Sequence, residues 1–255
     1  MWDPSAYLDY AEPRARPFHD LLARVSAAAP RRVIDLGCGP GNLTELLAKR
    51  WPRAAVEGID SSPEMVAAAR ERGIDAHVAD VIDWQPLDDA DVVVCNAVLQ
   101  WVPGHDRLLT RWVADLPEGA WLAVQVPGNF YAPSHVALRE LAAEPRWAEQ
   151  LQGVVLREDD AVDSPEGYAS LLADAGCDVD AWSTTYVHRL TGPDPVLDWI
   201  SGTALRPIKA TLDATQWTRF RDELAPRLRE AYPQRSDGTT WFPFRRVFVV
   251  ARTTG

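Results

Sequence analysis

A short loop with three alternating glycines is the first feature of the sequence that could do chemistry. Residues 33–42 read V-I-D-L-G-C-G-P-G-N, with Gly37, Gly39 and Gly41 directly after a short apolar run. Glycine permits positive φ and lets a backbone come close to a ligand, whereas a plain strand-to-helix turn needs only one or two glycines. Asp35 adds a polar interruption just before the loop. The pattern favours a ligand-binding loop over a tight turn with no ligand.

The spacing of the glycines argues against a dinucleotide as that ligand. Nicotinamide and flavin dinucleotides are bound by G-x-G-x-x-G, and here the third glycine comes one residue early, with Asn42 where the packing glycine should be. Pro40 also lacks the backbone N–H that a pyrophosphate would bind. A dehydrogenase is therefore disfavoured.

The loop resembles the first motif of the class I S-adenosylmethionine (SAM)-dependent methyltransferases. That motif has the form D-x-G-x-G-x-G and matches residues 35–41 without a gap. The resemblance implies SAM as cofactor and S-adenosylhomocysteine as product. It also implies a Rossmann-like α/β fold, with a seven-stranded, mostly parallel sheet, helices on both faces and a helical substrate cap.

The same resemblance assigns cofactor contacts after the next strands. The acidic residue that ends strand two and holds both ribose hydroxyls corresponds to Asp60, and a carboxylate can accept two hydrogen bonds at once. The adenine contact corresponds to Asp80, with Asp83 as the less favoured substitute. Residues 96–101 resemble the stretch that closes over the sulfonium. The implied cofactor-binding set is Asp35, Gly37, Gly39, Gly41, Asp60, Ser61, Asp80, Val81, Asn96, Gln100 and Trp101. Plainer alternatives stay open, since Asp60 could be a surface turn residue and Asn96 a strand cap.

The elements that must position these residues alternate between apolar strands and amphipathic helices, which favours a parallel sheet. Strands are predicted at 33–36, 54–60, 74–80, 91–96, 120–126, 179–187 and 244–252, and helices at 13–25, 42–50, 63–72, 106–116 and 164–177. The rhythm breaks at about 127–163 and 191–240, which we interpret as cap insertions in a single domain of residues 1–255. Both breaks follow strand ends, where open α/β sheets bind ligands.

Composition limits the partners. The net charge of −11 disfavours a nucleic-acid substrate, because binding a phosphate backbone needs a basic face. Residues 181–255 nevertheless carry 11 Lys and Arg against 7 Asp and Glu, so this part could receive a small anion. No apolar run approaches the roughly 20 residues of a membrane span. No signal-peptide pattern or Cys-x-x-Cys pair is present, so we expect a cytoplasmic protein without membrane contact, disulfides or metal.

A wider resemblance covers most of the chain and narrows the family to the trans-aconitate 2-methyltransferases. It is carried by W-x-P-x-x-Y at the start, R-x-R-P at 14–17, I-D-S-S-P-E-M at 59–65, N-A-V-L-Q-W at 96–101, T-T-Y-V-H at 184–188 and D-W-I-S-G-T-A-L-R-P at 198–207. This resemblance implies methyl transfer to one carboxylate of trans-aconitate, giving a monomethyl ester. A carboxylate is already ionised at neutral pH, so no general base is needed and none stands out.

Cationic and hydrogen-bonding residues should then neutralise the two carboxylates that do not react. The candidates for substrate binding are Arg206, His188 and Arg246, with Tyr131, Trp199 and Trp241 as walls or hydroxyl donors. Each has a plainer alternative, because Arg206 could cap a helix, His188 could be a satisfied, partly buried histidine, and Arg246 could flank an edge strand.

Three further expectations remain open at this point. Residues 1–30, with Trp2, Tyr7, Tyr10 and Arg16, resemble an arm that folds over the cofactor, or else form a surface helix. The chain is expected to be a monomer. Rival functions are an O-methyltransferase for another small acid or for a malonyl group on an acyl carrier protein, and a non-catalytic SAM-binding partner protein. A carrier would need an exposed basic patch, whereas a tricarboxylate needs buried cations.

Overall fold

The computed structural model describes residues 11–254, without the side chains of residues 11–14 and 159. The chain forms two compact units. Unit 1 contains the described residues up to Gly128, together with Val162–Thr184 and the residues from Arg246 onward. Unit 2 contains Asn129–Ala161 and Thr185–Arg245. The expected arm residues Trp2, Tyr7 and Tyr10 lie outside the described residues. The single domain with cap insertions at 127–163 and 191–240 stays a prediction.

Seven strands form one sheet in the order β3-β2-β1-β4-β5-β7-β6. Their bounds are Arg32–Leu36 for β1, Ala55–Asp60 for β2, Asp75–Val78 for β3, Ala90–Asn96 for β4, Trp121–Pro127 for β5, Cys177–Thr191 for β6 and Thr239–Thr253 for β7. The ladders among β1 to β5 are parallel, and β7 runs antiparallel to β5. The predicted seven-stranded, mostly parallel sheet is confirmed.

The helices that follow these strands begin where the sequence supplies caps. Ser62 precedes Pro63 and accepts a hydrogen bond from the Met65 amide, and Ser164 accepts one from the Gly167 amide. The helices are α1 Ala11–Leu22, α2 Thr44–Arg50, α3 Pro63–Glu71, α4 His105–Asp115, α5 Pro133–Ala143, α6 Pro145–Ala148, α7 Pro165–Asp174, α8 Pro195–Ser201, α9 Arg206–Thr211 and α10 Ala214–Ala231, with 3-10 turns at Leu99–Trp101 and Asp159–Ala161. Helices α5 and α6 lie within residues 127–163, where the sequence showed no regular alternation of strands and helices.

The core of unit 1 is the middle of the sheet. Residues 92–95 of β4 are entirely buried, as a strand covered on both faces should be, and the same holds for most of β5. Gln125 is the one polar residue in the central part of β5, and it is 1% exposed. Within residues 11–254, no helix combines the length and the apolar character needed to cross a membrane.

Candidate active site

The glycine loop leaves β1 with all three glycines in the left-handed region. Their φ values are 77° at Gly37, 55° at Gly39 and 78° at Gly41. A side chain at Gly37 would run into Val98, with a built Cβ only 2.1 Å from Val98 Cγ2, and one at Gly41 would meet the backbone of Ala69. At Gly39, by contrast, no described atom other than those of the residue itself and its two chain neighbours lies within 4 Å of a built Cβ. Gly37 and Gly41 therefore permit protein packing, and Gly39 is the glycine that opens onto free space.

Asp60, the last residue of β2, fixes that loop. Its two carboxylate oxygens accept hydrogen bonds from the Gly39 amide at 2.9 Å and from the Ser62 amide at 2.9 Å. The Ile59 carbonyl accepts from the first two loop amides. Burial raises the pKa of Asp60, and these two backbone donors act in the opposite direction. The carboxylate thus lies beside the open glycine, with its remaining lone pairs available to a ligand.

Asp35, in β1 just before the loop, is hydrogen-bonded to the helix that follows the loop. It is 3% exposed, and Thr44 at the start of α2 donates a 2.6 Å hydrogen bond to its Oδ2. Burial raises the pKa of Asp35 to about 6, although the Thr44 bond lowers it and the charge of Asp60 adds to the rise. The contact the structure shows for Asp35 is with Thr44, so its direct contact with a cofactor stays a prediction.

The third predicted acid lies in the loop after β3. Asp80 is exposed, and its Oδ1 accepts a 3.0 Å hydrogen bond from the Ile82 amide. Val81 beside it is buried. The Ala79 amide donates to the Asp60 carbonyl at 3.1 Å, which ties this loop to the end of β2. Asp60 and the segment carrying Asp80 are therefore neighbours at one edge of the sheet.

The turn after β4 is strained and incompletely hydrogen-bonded. Ala97 has φ 59° and is the only non-glycine residue with positive φ among those described. Gln100 donates from Nε2 to the Ala97 carbonyl at 2.6 Å, which fixes the orientation of its amide. The Oε1 of Gln100 and the Oδ1 of Asn96 are buried without a partner in the described structure. Trp101 is 38% exposed. Each buried, unsatisfied acceptor costs about 1–3 kcal/mol, so these two oxygens are candidates for contact with a ligand.

Gln125 and Arg246 continue the site across β5 and β7. Arg246 is 9% exposed and donates from Nη1 to Gln125 Oε1 at 3.5 Å. Gln125 pairs in register with Asn96 on β4, and Arg246 pairs with Pro127 at the end of β5. Register partners share a sheet face, as do residues two apart on one strand.

The ladders therefore place five polar side chains on one face near the carboxyl ends of the parallel strands. In sheet order they are Asp60, Asp35, Asn96, Gln125 and Arg246. The row runs from carboxylates on β2 and β1, through amides on β4 and β5, to a guanidinium on β7. Such an arrangement can hold a ligand with a hydroxyl-bearing or cationic part at one end and an anionic ligand at the other.

Unit 2 has a pocket of its own, with a volume of about 610 Å³. Tyr131 and Trp241 line it together with Arg235, Arg245 and Asn129. Arg245 donates to the Tyr131 hydroxyl at 3.3 Å, and both amide atoms of Asn129 are buried without a partner in the part of the chain that the structure describes. Two of the predicted substrate residues thus share a cationic pocket with two arginines that the sequence did not single out.

The remaining candidates lie elsewhere. His188 packs against Trp199 with ring centroids 4.5 Å apart, in an aromatic cluster of unit 2 that includes Phe242 and Phe244. Trp199 is 2% exposed. Arg206 starts α9, and burial lowers its pKa. These observations describe His188 and Trp199 as packing partners, and their contact with substrate stays a prediction.

Comparison with known proteins now decides the family. A family model described as a methyltransferase domain matches residues 10–181. The trans-aconitate 2-methyltransferase of Rhodococcus jostii (strain RHA1) is 64% identical over 252 residues, covering 99% of each chain. That of Mycobacterium tuberculosis (strain ATCC 25177 / H37Ra) is 56% identical over 255 residues, covering 100% of this chain and 98% of its own.

The chain belongs to the trans-aconitate 2-methyltransferase family. The fold of this methyltransferase is shared with the solved phosphoethanolamine N-methyltransferase 2 of Haemonchus contortus in complex with S-adenosyl-L-methionine. The TM-score is 0.59 at 15% identity, with 99% of this chain and 57% of that one covered.

The loop of this methyltransferase fits a SAM-sized ligand on two observations. The space beside Gly39 is open because glycine has no side chain to fill it. Two buried oxygens of the turn after β4 also lack partners among the described residues. Oxygen acceptors suit a positively charged sulfonium, and Asp60 suits ribose hydroxyls.

Sequence reasoning missed Gln125, Ala97, Arg235, Arg245 and Asn129. The single glutamine within W-L-A-V-Q-V-P could have indicated a site residue, because a polar side chain in a buried strand needs a hydrogen-bond partner. The positive φ of Ala97 could not be predicted, because alanine has no preference for that conformation. The contribution of the two arginines to the pocket in unit 2 depends on tertiary structure.

Proposed function

We propose that this protein transfers a methyl group from SAM to one carboxylate of trans-aconitate, giving a monomethyl ester and S-adenosylhomocysteine. The observation that carries the proposal is the row of polar side chains along one sheet face, with carboxylates at β2 and β1 and a guanidinium at β7. Membership of the trans-aconitate 2-methyltransferase family supports the choice of acid.

When bound, SAM supplies an electrophilic methyl group on a positively charged sulfur. The chain's own contribution is to hold the cofactor by the open backbone at Gly39 and the carboxylate of Asp60, with Asn96 and Gln100 directing oxygens toward the positive charge. The proposed cofactor-binding set is Asp35, Gly37, Gly39, Gly41, Asp60, Ser61, Asp80, Val81, Asn96, Gln100 and Trp101.

The acceptor needs to be positioned, and it does not need to be deprotonated. A carboxylic acid with an ordinary pKa near 4 is ionised at neutral pH, so its oxygen can attack without a general base. The protein aligns that oxygen and neutralises the other carboxylates. The proposed acceptor-binding set is Tyr131, His188, Trp199, Arg206, Trp241 and Arg246.

The burial of the cations favours a small polyanion over a malonyl group on an acidic carrier protein. Arg246 is 9% exposed, and burial lowers the pKa of the half-buried Arg206. A carrier would dock on exposed basic residues, whereas a small acid can enter and pair with a desolvated guanidinium.

The test is to incubate the purified protein with SAM and, separately, trans-aconitate, cis-aconitate, isocitrate, citrate and a malonyl-loaded carrier, and to analyse the products by mass spectrometry. The proposal predicts a monomethyl ester and released S-adenosylhomocysteine with trans-aconitate above all other acceptors. If SAM binds and only the carrier is methylated, the assignment of trans-aconitate as the acceptor is wrong. If no acceptor is methylated, the non-catalytic partner protein becomes the better account.

Expectations about location and partners complete the proposal. We propose a cytoplasmic monomer that does not bind membranes, and the acidic net charge of −11 argues against a nucleic-acid partner. Light scattering during size-exclusion chromatography tests the monomer, since a chain of 28.3 kDa should elute at that mass.

A further inference from the structure

We infer that Gln125 binds the acceptor, donating a hydrogen bond from its amide NH2 group to a carboxylate of the acid. The inference rests on the proposed function and adds a residue that neither the motifs nor the family resemblance assigned. It depends on the burial of Gln125, on the orientation of its amide and on its place in the row.

The side-chain amide of Gln125 is buried and is not fully hydrogen-bonded. Gln125 is 1% exposed in the centre of an otherwise apolar strand, and its Nε2 has no hydrogen-bond partner among residues 11–254. Buried polar groups are nearly always hydrogen-bonded, and an unpartnered donor is expected where a ligand completes the bond. Leucine or valine would fill the same position without this cost.

The orientation of the amide is fixed by Arg246. A guanidinium can only donate, so the oxygen of Gln125 must face it, and Arg246 Nη1 lies 3.5 Å from Gln125 Oε1. The NH2 group of Gln125 therefore points away from Arg246. The unsatisfied atom is a donor, which matches an anion and does not match a cation.

The polarity of the unsatisfied atoms changes along the row. On the β4 side they are oxygens, Asn96 Oδ1 and Gln100 Oε1, whereas on β5 the unsatisfied atom is the nitrogen of Gln125, with the Arg246 guanidinium beyond it on β7. Acceptors suit the positively charged sulfonium end of SAM, and donors suit a carboxylate. Gln125 is thus the first residue on the anion-binding side of the site.

The test measures binding without turnover. Trans-aconitate is titrated by calorimetry into protein saturated with S-adenosylhomocysteine, for the wild type and for Gln125→Met and Gln125→Glu. Methionine keeps the length of the side chain and removes both hydrogen-bonding groups. Glutamate keeps an oxygen toward Arg246 and replaces the donor with a charge of the wrong sign.

We expect Gln125→Met to weaken trans-aconitate binding about 10- to 100-fold, and Gln125→Glu to weaken it further. Affinity for S-adenosylhomocysteine should stay within about threefold of the wild type for both variants. Should Gln125→Met fail to fold, Gln125→Glu still answers the question, because it preserves the shape of the amide and the Arg246 contact.

The matched control is Gln150→Met, the same substitution at an exposed glutamine that lies outside both proposed binding sets. Its acid affinity in the S-adenosylhomocysteine complex should stay within about threefold of wild type. Unchanged acid affinity in both Gln125 variants would overturn the inference, as would an equal loss in Gln150→Met or a wild type that binds no acid. If acid binding follows Gln125 but the acid panel yields no ester, only the proposed function fails.

Discussion

The two ends of the polar row are built in different ways. At the β1 and β2 end, the glycines, Asp35 and Asp60 lie within 26 residues of one another, and each contact spans a short stretch of chain, 9 residues from Asp35 to Thr44 and 21 from Gly39 to Asp60. At the β5 and β7 end, Gln125 and Arg246 meet across 121 residues. The first end can be recognised as a motif, whereas the second exists only once the strands have paired in register.

The largest expected effect is at the locally specified end. Gly37→Ala places a Cβ 2.1 Å from Val98 Cγ2 at a φ of 77°. Overpacking combined with left-handed strain should lower the free energy of unfolding by about 2–5 kcal/mol. Thermal denaturation measures this. A variant as stable as the wild type would show that the loop relaxes away from Val98.

Asp35 should make stability depend on pH. Burial raises its pKa from 3.8 to about 6, so its contribution to folding is complete below pH 3.8 and is lost as the pH rises through about 6. Asp35→Asn removes that loss, so the variant should gain up to about 3 kcal/mol relative to wild type between about pH 4 and about pH 7.5.

Denaturant unfolding at the two pH values tests this prediction. Thr44→Val is the informative companion, because losing the donor that stabilises the Asp35 carboxylate should steepen the decline of stability with pH. An Asp35→Asn variant with the same advantage at both pH values would contradict the pKa argument.

Gly39→Ala should separate cofactor binding from stability. Gly39 and Gly73 both have positive φ, and a Cβ at either meets no described atom within 4 Å outside the residue itself and its two chain neighbours. Alanine at either position should cost about 1–2 kcal/mol of unfolding free energy. Only Gly39→Ala should also weaken S-adenosylhomocysteine binding, by about tenfold or more, because its methyl group extends into the cofactor space. Equal affinities in the two variants would remove Gly39 from the site.

The smallest effect concerns the strained turn between the two ends. Ala97→Gly relieves a φ of 59° and should raise the free energy of unfolding by about 1 kcal/mol. Ala67→Gly, in the interior of α3, should instead lower it by about 0.5–1 kcal/mol. If both changes destabilise the protein, the strain at Ala97 is not real.

The sequence predicted the β1 to β5 framework because short, mainly apolar runs alternate there with amphipathic helices. Ser164 and Pro63 likewise indicated where their helices begin. The sequence could not predict that Gln125 faces Arg246, because that contact depends on the antiparallel register of β5 and β7. Nor could it predict the pocket lined by Tyr131 and Trp241, whose residues come from four separated segments.

One set of titrations tests most directly whether the two ends serve different ligands. S-adenosylhomocysteine and trans-aconitate are titrated into Asp60→Asn, Arg246→Met and Arg245→Met, the last altering the neighbouring arginine in the pocket of unit 2. The account predicts that Asp60→Asn loses mainly S-adenosylhomocysteine affinity, that Arg246→Met loses mainly trans-aconitate affinity by about tenfold or more, and that Arg245→Met loses less trans-aconitate affinity than Arg246→Met. Loss of acid binding in Arg245→Met with full binding in Arg246→Met would contradict it and place the acid in the pocket of unit 2.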